Sequence, residues 1–141
     1  MKKVAIVYWS GTGNTEGMAN LVADGVKKAG GEADVVAVGD FSADKIGDYD
    51  AIALGSPAMG DEVIEEDEMQ PFYDSAKASL SGKPVGLFGS YDWGEGKWIA
   101  DWAEDVKGAG ANLVADPVKS CGEAEGEAAD ACVALGEALA K

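Results

Sequence analysis

The chain has 141 residues, 26 of them acidic and 11 basic, no histidine, and a formal charge of −15. That balance argues against a nucleic-acid partner, whose phosphates demand a basic face. The missing histidine also removes the commonest general base and metal ligand. No apolar run approaches the roughly 20 residues needed to span a bilayer. Met1-Lys2-Lys3 precedes an apolar stretch of only six residues that runs into glycines, so it reads as the edge of a first strand rather than a secretion signal.

In chain order, "VAIVYW" (4–9), "DVVAV" (34–38), "AIALG" (51–55), "VGLFGS" (85–90) and "NLVA" (112–115) are short and nearly all apolar, the pattern of strands buried on both faces. Between the first two, 14–30 places Met18, Leu21, Val22 and Val26 at helical spacing, with Gly30-Gly31 as a stop. The second connector, 39–49, is short and is expected to hold little helix. Helices are expected within 67–80, 96–110 and 125–141. Trp98 and Trp102, four residues apart, suit one buried helix face. Cys121 and Cys132 fit no metal or redox spacing and read as free thiols packed as small hydrophobes, with a disulfide between them as the alternative.

Strands alternating with helices predict an α/β fold, an open doubly wound parallel sheet of five strands with helices on both faces. The whole chain, 1–141, reads as one domain. It is expected to be soluble, cytoplasmic and monomeric, since no apolar stripe is left over for a mate. In such sheets ligands bind beyond the carboxyl ends of the strands. Three unusual loops stand there: 10–15, 56–62 and 90–96.

The first, "SGTGNT", ends a buried strand and opens a helix, where backbone N–H groups lack acceptors and the helix dipole is positive. Gly11 and Gly13 let the main chain curl around an anion, and Ser10, Thr12, Asn14 and Thr15 add side-chain donors. A nucleoside-triphosphate loop needs a lysine that is absent, and a dinucleotide fingerprint needs glycine where Glu16 stands. One terminal phosphate held by neutral donors is the functional reading. Taken alone, the loop reads equally well as a turn that caps the helix.

The second loop, Ser56-Pro57-Ala58-Met59-Gly60-Asp61-Glu62, carries a thioether beside a glycine. The third, Ser90-Tyr91-Asp92-Trp93-Gly94, carries two aromatics among small residues. A flat aromatic ligand would be clamped between them. Together "SGTGNT", "AMGDE" and "GSYDWG", in this order on a five-stranded chain, closely resemble the flavodoxins, nearly end to end, and the uninterrupted fifth strand points to their short-chain branch.

The resemblance implies strand order 2-1-3-4-5 and non-covalently bound FMN. It implies that residues 10–15 hold the phosphate, Met59 lies on the inner face of the isoalloxazine and Trp93 stacks on the outer face. Glu62 would accept from flavin N3, and the amides of Asp61, Asp92 and Gly94 would reach the carbonyl edges. Pro57 and Asp92 depart from the family pattern, which has a hydroxyl residue at the first position in many relatives and glycine at the second in the nearest.

The implied function is low-potential electron carriage in place of ferredoxin, mainly between neutral semiquinone and hydroquinone, with no catalytic residue and no metal. The partners would be redox proteins with basic docking faces, steered by the six acids of "DEVIEEDE" (61–68), a run equally readable as a solvated start of a helix. The alternative on the same fold is an FMN-dependent quinone or NAD(P)H reductase, whose substrate Trp93 should obstruct. A phospho-acceptor receiver domain would need acids at the ends of the first and third strands, where Ser10 and Ser56-Pro57 stand.

Overall fold

The computed structural model describes residues 2–11, 13–59, 63–92, 94 and 96–141. The elements run β1 (Lys3–Tyr8), α1 (Asn14–Lys28), β2 (Glu32–Ala37), β3 (Ala51–Gly55), α2 (Met69–Ala76), β4 (Pro84–Tyr91), α3 (Lys97–Gly108), β5 (Asn112–Leu113), β6 (Val118–Cys121) and α4 (Glu127–Leu139). The connector before β3 holds only 3₁₀ turns at 38–40 and 43–48. All strand pairs are parallel, in the order β2-β1-β3-β4-β5.

The fifth position corrects the expectation of an uninterrupted strand at 112–115. β5 ends at Leu113, opposite Val85, and β6 resumes at Val118, opposite Phe88. Two extra residues therefore bulge from the ladder within 114–117, a segment that bends at Ala115 and ends on Pro117, which has no N–H to donate. Half of this strand, 118–121, was not legible as one because Lys119 and Ser120 interrupt its apolar pattern.

Alternation along the strands divides the core in two. Val4 and Ile6 of β1 pack with Met18, Val22 and Val26 of α1 and Leu135 and Leu139 of α4. Ala5 and Val7 face the other way, toward Met69 and Phe72 of α2 and Trp98, Trp102 and Val106 of α3. α2 and α3 are tied by Tyr73, whose hydroxyl donates to Asp105 Oδ2 at 2.6 Å. Lys77 stands 2.8 Å from the same oxygen, and these two bonds hold the Asp105 carboxyl below its ordinary range, against the opposing effect of its partial burial. Cys132 is buried, and burial pushes its thiol up to about 12, whereas Cys121 is exposed instead of packed. Among the described residues no helix is long and apolar enough to cross a membrane.

On the first face α1 and α4 meet backbone to backbone. A methyl group at Gly25 would overlap the Val133 carbonyl, and one at Gly136 would overlap the carbonyl of Val22. Alanine favours a helix over glycine by about 1 kcal/mol, but overpacking against a main-chain carbonyl costs more, typically 1–3 kcal/mol and occasionally beyond that. Gly25→Ala should therefore lower stability in urea, by about 2 kcal/mol; a stabilised variant would contradict the contact.

The two tryptophans on the second face offer a paired test. Trp98 Nε1 donates to the Ser56 carbonyl at 3.0 Å, whereas the buried Trp102 indole nitrogen has no hydrogen-bond partner among the described residues. Each loses similar apolar area on replacement by phenylalanine, but only Trp98→Phe breaks a bond, and only Trp102→Phe removes an unsatisfied donor. Trp98→Phe should be the more destabilising by at least about 1 kcal/mol, measured by circular dichroism during urea unfolding.

Candidate functional site

The three loops meet at the carboxyl ends of β1, β3 and β4. In the first, Trp9 N–H continues the sheet by donating to Gly55 O at 3.0 Å, and the chain then leaves it. Ser10 Oγ accepts from Gly13 N–H at 3.0 Å, closing the turn. Gly13 precedes α1 at φ 94°, a left-handed conformation that suits glycine. The first bond of the helix is Gly17 N–H to Gly13 O, so the amides of Asn14, Thr15 and Glu16 come before any intrahelical acceptor. Tyr8 hydroxyl donates to Glu16 Oε2 at 2.9 Å, tying the first helical turn to the strand.

The second loop is held on every side that the structure describes. Ser56 N–H and Ala58 N–H donate to Phe88 O and Ser90 O of β4. Gly89 allows this approach, because a Cβ there would overlap the Ser56 carbonyl, the same carbonyl that accepts from Trp98. Ser56 is fully buried; its hydroxyl donates to Pro57 O at 3.0 Å and accepts from Glu65 N–H at 2.9 Å. Met59 and Val63 exchange both backbone bonds, at 2.8 and 3.0 Å, which closes a loop over residues 60–62.

In the third loop Ser90 and Thr15 are buried and share a hydroxyl bond of 2.8 Å, which staples β4 to α1. Tyr91 packs on Trp98 with ring centroids 5.4 Å apart. Asp92 is exposed, and Gly94 has φ 90°.

Between these loops lies a cleft of about 170 Å³ lined by Trp9, Gly11, Asn14, Thr15, Pro57, Ala58, Met59, Ser90, Tyr91 and Asp92. Ser10, Gly13, Ser56 and Gly94 shape the loops without lining the cleft. Thr12, Gly60, Asp61, Glu62 and Trp93 lie outside the described residues. Larger hollows exist, notably a groove of about 290 Å³ between α2 and α3. Its polar residues Gln70 and Asp74 bond each other, and Tyr73, Lys77 and Asp105 form the cluster described above, so the groove has no counterpart to the open amides of α1.

The residues present fit FMN. The cleft begins at the first amides of a fifteen-residue helix, which precede any intrahelical acceptor and suit a phosphate, and continues between the exposed Met59 and the Tyr91 loop, suited to a flat ring. No lysine or arginine lines it, so its donors are neutral. Sequence reasoning missed two residues here. Trp9 forms a wall of the cleft, its ring 3.1 Å from where a Cβ on Gly11 would stand, and its place beside "SGTGNT" was the available signal. Glu65 is 3% exposed despite belonging to the acidic run. Its carboxylate accepts from the amides of Asp67, Glu68 and Met69 at 2.7–2.8 Å, and composition offered no sign of it.

Comparison with known proteins agrees with this geometry. The flavodoxin family profile matches residues 6–136. The flavodoxin of Clostridium beijerinckii is 44% identical over 135 residues, covering 96% of this chain and 97% of its own length. That of Megasphaera elsdenii is 44% identical, covering 98% of both chains. The solution structure of the two-electron reduced Megasphaera elsdenii protein superposes with a TM-score of 0.90, at 42% identity and covering 97% of this chain and 98% of the other. More distantly, an NAD(P)H dehydrogenase (quinone) of Nitrobacter winogradskyi is 31% identical over 64% of this chain and 57% of its own. The full-length matches, the strand order and the cleft agree: the chain belongs to the flavodoxins, electron carriers that bind FMN.

Proposed function

We propose that the protein is a monomeric, cytoplasmic, single-domain carrier that moves electrons one at a time at low potential in place of ferredoxin, mainly between neutral semiquinone and hydroquinone. The observation that carries this reading is a cleft whose described lining holds neutral donors, the carboxylate of Asp92 and neither lysine nor arginine, on a chain of charge −15. FMN, when bound, would supply the redox chemistry. An added negative charge is opposed by like charge and by exclusion of water, and no cation lines the cleft to offset either. The second reduction is thereby pushed to low potential.

In this reading the phosphate is held by the amides of residues 11–15 and by the side chains of Ser10, Thr12 and Asn14. Ser10 Oγ accepts from Gly13, which leaves its own proton to donate. Thr15 serves through its amide, because its hydroxyl is engaged by Ser90. Met59 supports the inner ring face, Trp93 the outer, Glu62 accepts from N3, and the amides of Asp61, Asp92 and Gly94 meet the carbonyl edges. The redox partner would approach these loops with a basic face. Exposed Glu66, Asp67 and Glu68 are the described acids that steer such a partner.

Stepwise anaerobic reduction of the FMN-loaded protein, followed by visible absorbance, tests the proposal. A long-wavelength band midway through the titration is expected; direct two-electron bleaching together with rapid NADH oxidation by the protein alone would indicate a reductase instead.

The loop between Met59 and Val63 carries the finer expectation. If Met59–Glu62 turned as type II or type II′, positive φ would fall at Asp61 or at Gly60, and glycine accepts it at less cost than aspartate. A peptide flip that directs a carbonyl at flavin N5–H is therefore accessible, worth about 1 kcal/mol as one net hydrogen bond, or roughly 40 mV for one electron. Gly60→Ala should lower the first one-electron potential by about that amount; an unchanged potential would dismiss the flip.

A further inference from the structure

We propose that the groove between α2 and α3 is a second binding site, separate from the flavin cleft, for a small planar molecule that carries both a carbonyl acceptor and a cationic amine.

The groove holds about 290 Å³, at the small end of the range for ligand clefts. Ile64, Tyr73, Trp98 and Trp102 are buried and supply its apolar lining. The rings of Tyr73 and Trp102 meet edge to face, with centroids 5.9 Å apart. Aromatic surface of this kind suits a flat guest. The rest of the lining is polar: Gln70, Asp74 and Lys77 from α2 and its end, Asp101 and Asp105 from α3.

Two groups in this lining define the chemistry of the guest. Trp102 is 4% exposed, and its indole N–H has no acceptor among the described residues. A buried donor in that state is costly, and an acceptor brought by a ligand satisfies it. The second group is Asp74. Its Oδ1 accepts from the neutral amide of Gln70 at 2.9 Å, and no cation pairs with it among the described residues. The other two carboxylates are matched, Asp105 by Lys77 at 2.8 Å and Asp101 by Lys97 at 2.6 Å.

A metal ion would serve the carboxylate and offer nothing to the indole N–H. A neutral amide would serve the indole alone. An anion would meet three carboxylates against one lysine. Amine and carbonyl on one flat frame satisfy both groups. The groove adjoins the flavin loops through Trp98, which packs on Tyr91 and donates to Ser56 O. Groove and cleft nevertheless share no lining residue, so the site stands whether the flavin takes electrons singly or in pairs.

Isotope-edited NMR of the FMN-loaded full chain tests the site with four probes: para-aminomethylbenzamide, benzamide, benzylamine and benzoate. para-Aminomethylbenzamide should move the Trp102 indole N–H resonance downfield and saturate. Benzamide should move it in the same direction with about threefold weaker affinity, the worth of one exposed ion pair. Benzylamine, which lacks the acceptor, should bind without the downfield shift, and benzoate should not bind. Asp74→Asn should weaken para-aminomethylbenzamide about threefold and leave benzamide unchanged. Trp102→Phe, checked for its fold by circular dichroism, should abolish the advantage of para-aminomethylbenzamide over benzylamine.

The proposal is overturned if para-aminomethylbenzamide at millimolar concentration leaves the Trp102 resonance in place or moves it without saturation. Benzoate binding as well as the amine would also overturn it, as would an Asp74→Asn variant that weakens both amides equally or neither. If Trp102→Phe does not fold, the indole N–H shift in the wild type and the Asp74→Asn affinities decide.

Discussion

Anion binding without a cation is the constraint on which this molecule is organised. In the proposed reading, a phosphate beside a chain of charge −15 would be held by dipoles: the amides at the start of α1 and the turn closed by Ser10. Dipoles act over short distances, so they must be aimed. The parallel sheet aims them by delivering β1, β3 and β4 to one edge in adjacent positions, and Gly13 turns the chain so that α1 starts there. The Thr15–Ser90 bond then fixes the helix to β4, the strand that carries the third loop. Phosphate binding and ring binding thereby share one rigid platform.

The same economy of charge governs the ring. Lysine or arginine beside the flavin would hold its reduced form easily and raise the potential at which electrons leave. The lining keeps cations out and supplies a thioether, an aromatic and backbone groups. What the protein adjusts is the placement of a few polar groups, and placement requires a frame. Ser56 is the point at which β3, β4, α2 and α3 meet through Phe88, Glu65 and Trp98. The approach depends on Gly89, since any side chain there would displace the Ser56 carbonyl. A residue with no side chain in the middle of a strand is thus as important to the site as those that line it.

Much of this was legible from the residues. "AIALG" is wholly apolar because β3 lies at the centre of the sheet with both faces covered, and its limits matched. The cleft was readable because glycines and hydroxyls crowded at strand ends have few other uses. Three features were not legible, each for a physical reason. β6 carries Lys119 on its exposed side, so half its pattern reads as loop. The hydroxyls of Thr15 and Ser56 look like ligand donors, yet they bond protein atoms; donor chemistry does not reveal the direction in which a side chain points. Glu65 sits in a run where every neighbour suggests water, and its burial depends on amides that only the folded turn presents.

The glycine contact between α1 and α4 has a consequence for how the site comes into being. α1 carries the phosphate amides at one end and, along its flank, packs closely against a helix more than a hundred residues away in the chain. Contacts so distant in sequence close late, because their loop entropy is lost before they return any energy. The first binding element along the chain is therefore among the last to become rigid. Until α4 docks, α1 lacks half its cover, and its amides have a fixed direction only once the opposite end of the fold is in place. The direction of the α1 amides is thus coupled to the docking of α4 through the close contacts at Gly25 and Gly136.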